Sequence, residues 1–157
     1  MKGPIALFVA WALHDVEEAI MFPGTCDQLA DRTGIESLRI DTRQSWAAVG
    51  LMGVLIAFLC SRGSRTEGES RLYRAAIAGL EAHVGTHLAG SVVQRGYTAG
   101  VVTAVPVMLP GTVMARRELR RRGTPLTRRD YVNGFALLVP AAIVCQAIAR
   151  MVPRNVR

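Results

Sequence analysis

The stretch His14-Asp15-Val16-Glu17-Glu18 lies inside an apolar run from Pro4 to Phe22, and its reading decides the rest. Four ionisable side chains in five positions are costly there. In hydrocarbon each costs at least about 2.5–3.5 kcal/mol, so such groups face a protein interior and find partners. On a helix, His14, Glu17 and Glu18 stand at i, i+3 and i+4, which gives one face an imidazole and two carboxylates.

Outward from this stretch, charge and apolar content separate into blocks. Half of the residues are hydrophobic and the mean hydropathy is +0.26, yet 19 of the 157 residues are Lys or Arg. The blocks read as membrane spans joined by basic loops. The expected fold is all-α: one domain over residues 1–157, a transmembrane helical bundle of about five spans near 4–22, 45–60, 72–93, 97–115 and 131–149. Lys2 and the apolar residues after it resemble a signal peptide, but the uncharged core before His14 is short. Cleavage near Ala10-Trp11-Ala12 would also strand the motif, so this is read as a retained first span ended by Pro23-Gly24.

Residues 24–44 are expected to form a polar loop with a short surface helix, and Trp46 to anchor a second span that starts a few residues before Ser45. Gly63 and Gly68 break the 62–74 loop. Pro106, Pro110 and Pro140 are expected to kink the fourth and fifth spans. Gly96 and Gly100, four apart, would let a neighbouring helix approach closely. The tail from Arg150 to Arg157 is basic.

The arginines orient such a bundle. Lys2, the four arginines of the 62–74 loop and the seven of the 116–130 loop fall on one side, taken as cytoplasmic together with the N-terminus. Arg32, Arg39, Arg43, Arg95, Arg150, Arg154 and Arg157 fall on the other. A net charge of +7 raises nucleic acid as a partner. No aromatic residues interleave with Arg116–Arg122 as a base-stacking surface requires, and a bilayer explains the same arginines, so no nucleic acid is expected. Cys26, Cys60 and Cys145 are odd in number and lack CxxC spacing, which argues against a disulfide framework or a zinc ribbon.

Depth then brings the remaining histidines in. His14 and Glu18 lie ten and fourteen residues past Pro4, and His83 and His87 ten and fourteen past Tyr73. At about 1.5 Å per residue both pairs sit at one height in parallel spans. His14, Glu17, Glu18, His83 and His87 make a natural ligand set for one or two metal ions, iron preferred over zinc. Asp15 and Glu81 point elsewhere on their helices and are candidates for orienting an imidazole. Thr103 and Tyr97 are further supporting candidates, against a packing role for the first and a membrane-belt role for the second. Cys145 and Gln146 lie near the same height. The alternatives are a metal-free proton relay or a buried polar network that only joins helices.

These residues resemble the HXXEE-domain family of small multi-pass membrane proteins. His14-Asp15-Val16-Glu17-Glu18 followed by Pro23 matches the naming motif. His87-Leu88 followed by Tyr97, Gly100 and Thr103 looks like the family's second block, a His and then Tyr-x-x-Gly-x-x-Thr. The family often has Pro where this chain has Ala99, and Asn where His83 stands, which leaves one against two metals open. The resemblance covers about 100 residues and implies a multi-pass protein with a metal or catalytic site.

The leading expectation is a metal-dependent enzyme of the cell membrane, an iron-dependent oxidoreductase or oxygenase with Glu17 and Glu18 catalytic. Its partners would be a lipophilic or membrane-delivered small molecule, membrane lipids, and a partner protein or electron donor. The rivals are a zinc-dependent hydrolase with a glutamate as general base and a non-catalytic proton- or metal-handling transporter or accessory subunit.

Overall fold

Local sequence signals set where each helix starts and stops. The computed structural model describes residues 2–153, so Arg154 and Arg157 of the basic tail lie outside the described residues. Among those described there are five helices and no strand. Helix α1 (Gly3–Thr33) carries Pro4 in its first turn, where a missing N–H removes no intrahelical bond. It ends at Gly34, which takes the left-handed conformation (φ 72°) and donates its N–H to the Ala30 carbonyl at 2.8 Å. A 3-10 turn (Glu36–Leu38) follows. Helix α2 (Thr42–Arg65) is capped by Asp41, whose Oδ1 accepts the Gln44 N–H at 2.8 Å.

Helix α3 (Arg71–Gln94) is capped by Ser70. Helix α4 opens as Val101–Thr103, passes through a π-helical turn (Ala104–Met108) and continues as Leu109–Arg121. Helix α5 (Arg128–Ala149) begins where Asp130 Oδ2 accepts the Thr127 N–H at 2.7 Å. The same carboxylate pairs with Arg74 at 2.9 Å, and Arg74 also donates to the Thr124 carbonyl at 2.6 Å. One guanidinium thus ties the start of α3 to the α4–α5 connection.

Four boundaries correct the sequence reading. Gly63 does not break a loop but lies inside α2, and the fourth helix runs on through the first arginines of the 116–130 segment to Arg121. Pro23-Gly24 does not end α1, and residues 24–33 are helix rather than loop. A proline inside a helix removes one backbone bond. Here the continuation is clasped by Arg39, which reaches Asp27 at 3.3 Å, Asp31 at 2.6 Å and Glu36 at 2.7 Å. The Arg39 hydrogen bond holds the Glu36 carboxyl below its usual range. Each exposed pair is weak alone, but one guanidinium serves three carboxylates. The fourth helix starts at Val101 rather than residue 97, because Arg95 (φ 53°) and Gly100 (φ 84°) turn the chain through left-handed backbone. Gly96 therefore lies in a loop, bonded to Ser91 near the end of α3, and a Cβ added to it would meet only the Gln94 carbonyl.

Pro106 yields a π turn, in which the Leu109 N–H reaches the Ala104 carbonyl five residues back. Pro110 falls in the first turn of the α segment after it, and Pro140 lies inside α5. The start of α2 at Thr42 agrees with a span beginning before Ser45.

Helix α1 packs on α2 and α4, while α5 packs on α2 and α3. Leu7, Trp11, Ile56, Leu59, Tyr73, Ile77, Met108 and Leu119 fill the interior. The closest helix approach joins α3 to α5. A Cβ added at Gly134 would stand 2.6 Å from the Gly79 nitrogen and 2.8 Å from its Cα. Gly134→Val is therefore expected to destabilise the protein by about 3 kcal/mol or more, read as a fall in the thermal unfolding midpoint. Gly85→Ala, at an open helical position, should be neutral or stabilising by up to about 1 kcal/mol. Equal midpoints for the two variants would refute this packing.

Two helices, Thr42–Arg65 and Arg128–Ala149, are long and apolar enough to cross a membrane. The outward faces are apolar: Ile5, Val9, Leu13 and Ile20 on α1, Val54 and Phe58 on α2, Phe135 and Ile143 on α5. His14, Asp15, Gln44, Ser45 and Thr112 are turned inward and buried.

Candidate metal centre

Helices α1 and α3 face one another across the interior through three imidazoles. His14 Nε2 stands 3.1 Å from His87 Nε2, which stands 2.9 Å from His83 Nε2 and 3.5 Å from Glu18 Oε1. One donor atom from each of the four residues lies within 4.8 Å of all the others. His14 is fully buried and His87 nearly so. The i, i+4 spacing within each helix and the shared height bring these atoms together.

The hydrogen-bond network assigns a tautomer to two of the rings. Thr103 gives its one hydroxyl proton to Glu17 Oε2 at 2.5 Å, so its oxygen must accept at 2.9 Å from His14 Nδ1–H. Thr86 gives its proton to the His83 carbonyl at 2.7 Å, so its oxygen accepts at 3.1 Å from His83 Nδ1–H. The His14 and His83 rings thus spend their proton outward.

The bare Nε2 lone pairs of His14 and His83 and an oxygen of Glu18 therefore converge on His87 Nε2. Acceptors brought this close repel, and a cation between them reverses the sign of the interaction. Ligands on bonds of about 2.0–2.1 Å stand about 3.0–3.4 Å apart in tetrahedral or octahedral arrangements. The three contact distances match that spacing to within a few tenths of an ångström. His14, Glu18, His83 and His87 can hold one metal ion.

Glu17, expected beside Glu18 as a ligand, is drawn to the α4 side instead. Its Oε2 accepts the Thr103 N–H at 2.8 Å as well as the hydroxyl, and its Oε1 accepts the Tyr97 hydroxyl at 2.6 Å. Gly100 completes this wall. A Cβ there would stand 2.5 Å from His87 Cε1 and 2.9 Å from His14 Cε1, so only a bare α-carbon lets both rings lie against the turn. Tyr97, Gly100 and Thr103 thus all meet His14, Glu17 or His87.

The remaining candidates lie elsewhere. Glu81 accepts from Tyr131 at 2.8 Å and pairs with Arg116 at 3.0 Å, away from the imidazoles. Asp15 is buried and makes no hydrogen bond or ion pair with a described residue. It lines a cavity with Glu18, His83, Cys145 and Gln146. Sequence reasoning missed Thr86, for which a Thr three residues after His83 was the available signal.

The tautomer assignment makes Thr103 testable. Thr103→Val removes the acceptor for His14 Nδ1–H and should weaken metal affinity about 10–100-fold, whereas Thr103→Ser should hold it. Competition titration against a chelating dye measures both. Equal affinities for valine and serine would refute the assigned role.

A family model described as a protein of unknown function with HXXEE motif matches residues 5–115. No curated protein and no solved structure matches the chain. The matched segment holds all four converging donors, Glu17, and the Tyr97, Gly100 and Thr103 contacts described above. On that match the chain belongs to the HXXEE-motif family.

Proposed function

We propose that this protein is a metal-dependent enzyme of the membrane, holding one metal ion on His14, Glu18, His83 and His87. The observation that carries the reading is the convergence of three imidazole nitrogens and a carboxylate, the His14 and His83 ring protons being fixed on the far side by Thr103 and Thr86. A single ion is favoured over a pair because Glu17 is engaged by Tyr97 and Thr103.

Iron is the preferred metal, since three imidazoles and one carboxylate leave coordination positions open, as in non-haem iron oxygenases. When bound it would supply dioxygen activation, with an electron donor or partner protein completing the oxidation. The chain's own residues then have separable duties. His83 is held by Thr86, and His14 by Thr103, itself anchored by Glu17, while the His87 ring lies against the turn at Gly100. The apolar wall beside the cluster admits a lipophilic substrate and excludes water.

Zinc is the second reading, supported by ligand spacings that also suit a tetrahedral ion; there the bound water would be activated for hydrolysis. Metal analysis with an optical spectrum of the purified protein separates the two. About one iron per chain with a visible or near-ultraviolet band is expected; about one zinc favours the hydrolase. Protein without stoichiometric metal would overturn both.

The multi-pass arrangement is supported by the apolar outward faces of the helices, together with the ionisable side chains His14, Asp15 and His87 buried inside. We read all five helices as spans, with the N-terminus and the α2–α3 loop cytoplasmic by their arginine excess. A cysteine introduced at Gly68 in a cysteine-free background should label only from the cytoplasmic side. Labelling from the opposite face would reverse the orientation.

A further inference from the structure

One buried ionisable group has no role in the site as described. Asp15 is 6 % exposed, yet its carboxylate has no hydrogen bond or ion pair within the described residues. Its oxygens are not among the fully enclosed unpartnered atoms, so they keep accessible surface for a partner to meet. It lines a cavity of about 370 Å³ shared by α1, α2, α3 and α5, a size within the roughly 300–1,000 Å³ usual for small-molecule sites.

The walls are apolar, with Trp11, Met52 and Leu138 among them. At the inner end stand Asp15, Glu18 and His83, which joins the cavity to the candidate metal centre. At the outer end the lining reaches Phe135, Val139 and Ile143, exposed residues along the apolar outside of α5. The cavity thus runs from the lipid-facing surface to the donor cluster, and a carboxyl without a partner waits at its deep end.

We infer that the cavity seats an amphiphile with an apolar body and a head that carries a hydrogen-bond donor, a hydroxyl or an amine, which Asp15 receives. Asp15 and Glu18, three residues apart on α1, line the same end, so a head bonded to Asp15 is delivered beside the candidate metal ligands. This names the substrate class of the reading above and rests on that reading for its catalytic meaning. A plain acyl chain would satisfy the walls but not Asp15.

The two tryptophans allow a direct test. With Trp46→Phe as background, the full-length protein in nanodiscs keeps Trp11, 5 % exposed and on the cavity wall, as its reporter. Its fluorescence is titrated with 11-bromo-1-undecanol, 11-bromoundecylamine and 11-bromoundecyl methyl ether, which share a quenching chain and differ at the head. Saturable quenching by the alcohol or the amine is expected, weaker by about tenfold or more for the ether and in Asp15→Ala. Asp15→Asn sorts the heads, since an amide can still accept from a hydroxyl but offers an ammonium no charge.

Equal quenching by alcohol, amine and ether would overturn the inference, as would quenching that never saturates or that Asp15→Ala leaves unchanged. The comparison of heads needs no variant, so it decides even where Asp15→Ala fails to fold. The titration is run before and after chelation, with metal content measured alongside. Head-dependent quenching without stoichiometric metal would fail the metal reading alone. Stoichiometric metal without head dependence would fail this inference alone.

Discussion

Gly100→Ala is expected to empty the metal site while all four donor residues stay in the chain. Gly100 has φ 84°, a conformation L side chains rarely adopt. The added methyl would also press on His87 Cε1 at 2.5 Å and His14 Cε1 at 2.9 Å, inside any tolerable contact. Both rings must shift, and metal sites tolerate donor displacements of only about 0.2 Å. Metal content of the purified variant should fall to background, with helicity by circular dichroism unchanged. Gly85→Ala, made in open space on α3, should keep its metal. Full loading of Gly100→Ala would mean that the two rings do not act as ligands in the arrangement described.

His87→Ala should have an effect of similar size through a different route. His87 Nε2 is the atom on which the others meet, 3.1 Å from His14, 2.9 Å from His83 and 3.5 Å from Glu18. The His14 and His83 rings are farther from each other, 5.9 Å between centroids. Without His87 the site loses one ligand and its geometric centre, and affinity should fall by about two orders of magnitude or more. Glu17→Gln is the informative contrast. As a residue that holds Thr103 rather than the metal, it should weaken loading without abolishing it. Titrations that rank Glu17→Gln equal to His87→Ala would return Glu17 to the ligand set.

Helix periodicity made much of this site readable in advance. The spacing of His14 and Glu18, the matching pair His83 and His87, and their equal distance from the span starts follow from 3.6 residues per turn. Periodicity could not divide Glu17 from Glu18. Adjacent positions sit about 100° apart and straddle the same interface, and what separates them is the Tyr97–Thr103 segment, more than seventy residues away in the chain. The continuation of α1 past Pro23 was hidden for a similar reason. Pro-Gly is a stop signal in isolation, and the Arg39 clasp that supports the longer helix is a contact between chain segments. The Gly79–Gly134 approach left no trace either, because two glycines on different helices form no pattern until the helices are packed.

The π turn in α4 acts as a vernier. Near one end of the shared interface Gly111 sits against Ala6 and Ala10; near the other, Thr103 holds Glu17. From Ala10 to Glu17 is seven steps along α1, about 700° of rotation, so both residues look the same way. From Thr103 to Gly111 is eight steps, which in an unbroken α-helix would swing one contact about 80° off the seam. Absorbing a single residue at Ala104–Met108 cancels that offset. A chain lacking Pro106 would thus regain the phase as an ordinary helix, whereas one lacking two residues there could satisfy the packing or the imidazole, never both.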